Sequence, residues 1–302
     1  MNRREFINSA MALAATSSVT GCASAMRNGE GRILFGACRG IDDAKLMASV
    51  GYDFWEWGVG AALNPNKDGE WWKRQRDLIA AQPIPMRSCN GFLPGTFRLT
   101  GPKADHGAAL DYAETALRRA EEAGVRTVVF GSGGARNVPG DFTGPREQWP
   151  NLEEGTAQYA DFCRKLCARV ADLKTVAVVI EPLRPNESNI INFVWQGVQI
   201  CEDVASPRLC QLADIFHMMM GRESAESIVK AGPLLKHCHI ASYGTRQFPG
   251  SDPKTVGRLK PYFDALRTIG YTGGVSCECS GWGEKKDLAR NLETALATLR
   301  SL

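Results

Sequence analysis

The stretch Val176-Ala177-Val178-Val179-Ile180-Glu181 is five apolar residues closed by a carboxylate, and it is the first of four such runs. LCQLAD delivers Asp214, LLKHCHI delivers His239 and GVSCEC delivers Glu278. The four polar groups are 33, 25 and 39 residues apart, about one strand plus one helix each. Successive parallel strands therefore carry all four to the same end of one sheet. Taken singly, each has an ordinary explanation, as a helix N-cap, a solvated loop acid or a rim histidine. Four in phase point to a site, because an unpaired charge at the end of a buried strand costs several kcal/mol and one cation offsets all four. Three carboxylates and an imidazole suit a divalent ion, Mn²⁺ first, with Mg²⁺, Co²⁺ or Zn²⁺ as alternatives.

The rest of the chain alternates in the same way. Apolar runs begin near Ile33, Tyr52, Pro85, Val125, Thr175, Arg208, Leu234 and Gly274. Helical periods cover about 42–50, 70–81, 104–123, 152–173, 196–204, 223–231, 254–269 and 285–301. Eight alternations predict an α/β fold of the (β/α)₈ TIM-barrel type over residues 33–302, with its site at the carboxyl ends of the strands. A doubly wound sheet is the competing architecture, but no Gly-x-Gly-x-x-Gly follows the first run. Two long loops, Asn90 to Gly101 and Gly131 to Pro150, are rich in glycine and proline. GSGGAR in the second lacks the Gly-Lys-Ser/Thr of a phosphate loop and reads as a tight turn that brings backbone close to a substrate.

At 302 residues and 44% hydrophobic, the chain can bury a large core, and a formal charge of +3 without a basic stripe gives no indication of nucleic acid. Residues 1–25 read as a signal peptide, with 26–32 as a linker. Arg3-Arg4-Glu5-Phe6-Ile7 looks like a twin-arginine export signal. Val19-Thr20-Gly21-Cys22 resembles a lipobox, which would leave a lipoprotein anchored through Cys22 in the periplasm; cleavage after Ala25 is the alternative. Nine further cysteines carry no paired spacing and are expected to pack as thiols, not to form a disulfide framework.

IEPLRPNESNIIN around Glu181, LADIFHM around Asp214, HCHIAS around His239 and VSCECSG around Glu278 together resemble the xylose-isomerase-like barrel superfamily. The likeness is closest to the sugar (phosphate) isomerase and epimerase branch that includes D-tagatose 3-epimerase and hydroxypyruvate isomerase. The resemblance implies that Glu181, Asp214, His239 and Glu278 bind one divalent cation and that Glu181 and Glu278 serve as acid and base. It also implies substrate contacts from Glu187 and His217. Arg246 lies one position away from a family arginine that touches substrate. Glu56, in YDFWEW, matches a common family glutamate and reads either as a group supporting the site from behind or as a structural ion pair. His237 shares a strand face with His239 at a different depth, and Trp55 and Trp57 read equally as sugar-stacking or rim-packing residues. Ser242 stands where the family often has an acid, and the segment from Gly244 to Gly257 is longer than usual. The superfamily's three-zinc endonucleases need more histidines than the four present here.

The implied reaction is proton abstraction beside a sugar carbonyl, with the cation stabilising the enediolate and a proton returned to the other face or the neighbouring carbon. Export favours an unphosphorylated keto sugar or glycoside. A metal-dependent lyase cleaving 3-keto-glycosides by β-elimination is one alternative, and a non-catalytic sugar-binding barrel is another. The partners expected are a small-molecule sugar, further copies of the chain in a homo-oligomer, and a membrane only through a lipid on Cys22.

Overall fold

The computed structural model describes residues 31–143, 145 and 150–302. The expected signal peptide, with Arg3, Arg4 and Cys22, lies outside the described residues, as does part of the loop before Pro150. Among the described residues no helix is long and apolar enough to cross a membrane.

Eight strands form one parallel sheet: β1 (Leu34–Ala37), β2 (Trp55–Gly58), β3 (Met86–Asn90), β4 (Thr127–Phe130), β5 (Ala177–Ile180), β6 (Leu209–Asp214), β7 (Leu235–Ile240) and β8 (Gly274–Cys277). Each pairs with its neighbour in sequence, and β1 pairs with β8. Between β1 and β2 a single bridge, Cys38 to Glu56, closes the circle. The expected TIM barrel is therefore the observed fold, and all eight predicted strands are present.

The main helices are α1 (Ala44–Val50), α2 (Gly69–Ala80), α3 (Gly107–Glu122), α4 (Leu152–Arg169), α5 (Val194–Val204), α6 (Glu226–Ala231), α7 (Lys260–Thr268) and α8 (Leu288–Ser301). Side-chain caps set several of their starts: Asp68 accepts from the Trp71 amide ahead of α2, and Asn151 from the Glu154 amide ahead of α4. The period expected over 254–269 breaks in two, into Pro253–Val256 and α7, with Gly257 between them. Short helices escaped the sequence reading, among them Val59–Ala62, Gly133–Arg136 and Ile215–Met220. Ile215–Met220 starts directly from β6 because the Asp214 side chain accepts from the His217 amide.

Strand residues are buried on both faces, which explains why the runs read as continuously apolar. Val129, Ala177, Val179, Cys210 and Leu212 form their own small cluster, and by alternation they share a face with Glu181 and Asp214. The larger apolar cluster lies between strands and helices. Cysteines 38 to 279 are all free thiols, seven of the nine buried.

Candidate metal centre

The four strand-end groups converge. One ligand atom from each of Glu181, Asp214, His239 and Glu278 lies within 4.8 Å of all the others. Ligands 2.0 to 2.6 Å from a central ion are separated by at most roughly 4 to 5 Å, so the set fits one hard divalent cation in both spacing and chemistry. The histidine sits between the acids. His239 Nδ1 is 2.9 Å from Glu181 Oε1 and 3.7 Å from Glu278 Oε2.

The back of His239 is equally defined. Its Nε2 is 2.9 Å from Glu56 Oε1, and the other Glu56 oxygen is 2.9 Å from His237 Nε2. Glu56 thus spends both oxygens on histidines, behind the centre and fully buried. A carboxylate on the far nitrogen fixes the ring and leaves Nδ1 facing the acids, the arrangement that orients metal-binding histidines generally. His237, deeper on the same face of β7, braces Glu56.

These contacts set the protonation. Burial pushes the Glu56 carboxyl up, but His239 and His237 outweigh it and hold it well below the usual range. Burial opposes charge on His239, yet Glu56, Glu278 and Glu181 hold its pKa well above the ordinary imidazole value. The Glu278 carboxyl is pushed up to about 7 by burial, with Glu181 and Asp214 adding to it against His239 and Arg246. Burial also raises Asp214, but His217, His239 and Arg246 bring it below its usual value.

Around the four converging groups lie Glu187, His217 and Arg246. Arg246 donates to Glu278 Oε2 at 2.5 Å and Glu187 Oε1 at 3.0 Å. Its backbone is left-handed, with φ +52°, a conformation that costs a non-glycine residue energy and is held here by the surrounding loop. Ser242, where an acid was expected, anchors that loop by donating to the Phe248 carbonyl. Arg184 also donates to Glu187 Oε1, at 2.7 Å, and both guanidiniums lie over the Phe216 ring. His217 is buried with neither ring nitrogen hydrogen-bonded, its Nε2 3.4 Å from Asp214 and 3.7 Å from Glu187. Trp55 is buried and donates to the Ile84 carbonyl, so it packs; Trp57 borders the cleft beside Asn90.

Four residues near the site were not singled out from sequence. Asn90 closes β3 and donates to Glu278 Oε1 at 3.4 Å, and Cys38 follows β1 within reach of Glu56 and His239. Both obey the strand-end rule that found the acids, but their uncharged side chains gave no anomaly. Arg136, fully buried, donates to the carbonyls of Phe130, Glu181 and Ile191 and to the Ser188 hydroxyl. It ties the end of β5 to the loop carrying Glu187. The fourth residue, Gly131, opens the GSGGAR turn, which contains one helical turn, Gly133–Arg136, and makes close approaches within the protein. A Cβ on Gly131 would sit 2.2 Å from Glu181 Oε2, and one on Gly133 2.2 Å from the Glu187 carbonyl.

A family model described as xylose isomerase-like TIM barrel matches residues 44–302, and the chain belongs to that family. D-psicose 3-epimerase of Agrobacterium fabrum is 33% identical over 129 residues, 41% of this chain and 39% of that protein. A probable ketose 3-epimerase of Synechocystis sp. is 31% identical over 126 residues, 41% of this chain and 42% of that one. The matches thus span about two fifths of the length of these curated relatives. Among solved structures, D-psicose 3-epimerase from Clostridium cellulolyticum H10 superposes with a TM-score of 0.74 at 19% identity, covering 89% of this chain and 99% of that one. A 3-keto-D-glucoside 4-epimerase from E. coli gives 0.73 at 20%, covering 90% and 100%. At such identities these two likenesses establish the fold.

Proposed function

We propose that the protein is a divalent-cation-dependent epimerase or isomerase of unphosphorylated keto sugars or keto-glycosides. The observation that carries this reading is the convergence of Glu181, Asp214, His239 and Glu278 on one point. The names of the relatives, two ketose 3-epimerases and a 3-keto-glucoside epimerase, support the substrate class. When bound, a cation such as Mn²⁺ supplies positive charge beside the substrate oxygens that become negative as a proton leaves.

The chain's own groups do the rest. Glu278, bordering the centre and held by Arg246 and Asn90, is placed to take the proton next to a carbonyl. Glu181 borders the same centre and serves as the second acid or base, returning a proton from its own side. Glu56 keeps His239 oriented, while Arg246 holds Glu278 and Glu187 at the mouth. His217, with two unused nitrogens, and Glu187 are placed to hydrogen-bond substrate hydroxyls. We place this activity outside the cytoplasm, on the strength of Arg3, Arg4 and the lipobox-like residues ending at Cys22. Exchange of Arg3 and Arg4 for Lys should trap precursor, and Cys22→Ser should abolish lipid attachment.

The test is deuterium exchange from D₂O at the carbon beside the carbonyl, across a panel of free and 3-keto sugars, with product identification to separate epimerase, isomerase and lyase. Exchange that requires added Mn²⁺ or a similar ion and is lost with chelator is expected. Faster turnover of a phosphorylated ketose than of every unphosphorylated sugar would overturn the substrate class.

A further inference from the structure

At the other end of the barrel, where β3, β4, β7 and β8 begin, lies a cavity of about 180 Å³. Arg87, Arg126, Lys236 and His237 line it, and no Asp or Glu is present in its wall. All three basic side chains are partly buried. Among the described residues none of the three makes a side-chain hydrogen bond or an ion pair. Their nitrogens are open to the cavity, whereas other guanidiniums of this fold meet protein acceptors. Arg119 has the carbonyls of Leu63, Asn64 and Lys67; Arg136 has three carbonyls and a hydroxyl; Arg246 has two carboxylates. Burial, followed by the like charge of Arg126, depresses the pKa of Arg87, as expected for two cations crowded together without a counter-charge.

We propose that this cavity binds a small multivalent oxyanion of phosphate type, held by Arg87, Arg126 and Lys236. Guanidinium pairs match a tetrahedral oxyanion's oxygens, and their donors gain strength where water is partly excluded. The cavity lies at the strand ends remote from Glu278, so the anion is not a reactant, and the inference stands independently of the proposed epimerase activity.

Calorimetric titration of the protein with inorganic phosphate and with glycerol 3-phosphate, at fixed ionic strength, tests it. Saturable binding is expected, weakened about ten- to a hundredfold by Arg87→Gln and by Arg126→Gln, as loss of a charge-assisted hydrogen bond predicts. Tighter binding of inorganic phosphate marks a free oxyanion, and tighter binding of the ester marks the end group of a longer molecule; both support the site if the variants lose it. In phosphate-free buffer the variants should melt at or above the parent's temperature, because removing one charge relieves repulsion. A purely structural arginine would give the opposite. Lys236→Gln, weakening affinity without a change in melting, decides the matter if either arginine variant fails to fold. No saturable binding by the parent, or binding within threefold of the parent in every folded variant, overturns the proposal.

Discussion

Strands β5 to β8 and strands β1 to β4 contribute to the same centre in different currencies. The later four end in Glu181, Asp214, His239 and Glu278, the donors that meet within 4.8 Å. The earlier four end in groups that adjust those donors: Glu56 holds the back of His239, Asn90 touches Glu278, Cys38 lies beside Glu56, and Gly131 leaves room for Glu181. One half supplies charge and the other supplies geometry. The difference teaches that a buried ionic centre needs a frame, since its acids repel one another until a cation or a positioned histidine intervenes.

Breaking the charged half should cost most. Glu278→Gln is expected to lower turnover by about 10²- to 10⁴-fold while retaining the fold and some metal, measured by steady-state kinetics with metal analysis. Turnover within a few-fold of the parent would reassign Glu278 to structure. Breaking the frame should cost less and appear first in metal affinity. Glu56→Ala leaves His239 free to turn and should weaken cation binding by about 10- to 100-fold, read by titration with Mn²⁺. A loss as complete as removing a ligand would erase the distinction between the two halves.

Gly131→Ala tests the steric part of the frame. Its Cβ would overlap Glu181, so either the carboxylate or the backbone must move, at a cost of about 1 to 3 kcal/mol shared between metal affinity and stability. An unchanged affinity and melting temperature would show that the gap beside Glu181 is not needed. The smallest effect sharpens the electrostatics. In the metal-free centre His239 keeps its proton well above its ordinary pKa, and Glu278 takes one up as pH falls through about 7. A cation must displace both, so uptake should weaken with falling pH, releasing about one proton per ion above pH 7 and about two below it. Uptake independent of pH between 6 and 8 would contradict the protonation of both groups.

Sequence alone determined the eight-fold alternation and the four strand-end groups that converge, because both leave local marks: a strand buried on two faces is a continuous apolar run, and a charge at its end stands out. Glu56 was visible only through the family resemblance, and only the fold revealed that its partners are two histidines more than 180 residues away. Tertiary structure decided what depends on relations between distant segments. It brought Arg246 to Glu278 across a loop of left-handed backbone, turned GSGGAR into the space beside Glu181, and buried Arg136 among carbonyls of three segments. It also gathered Arg87, Arg126 and Lys236 at one cavity. An arginine in a loop or at a strand start reads as an ordinary solvated charge. Which acceptors it meets, or lacks, is fixed only when the barrel closes and water is removed from around it.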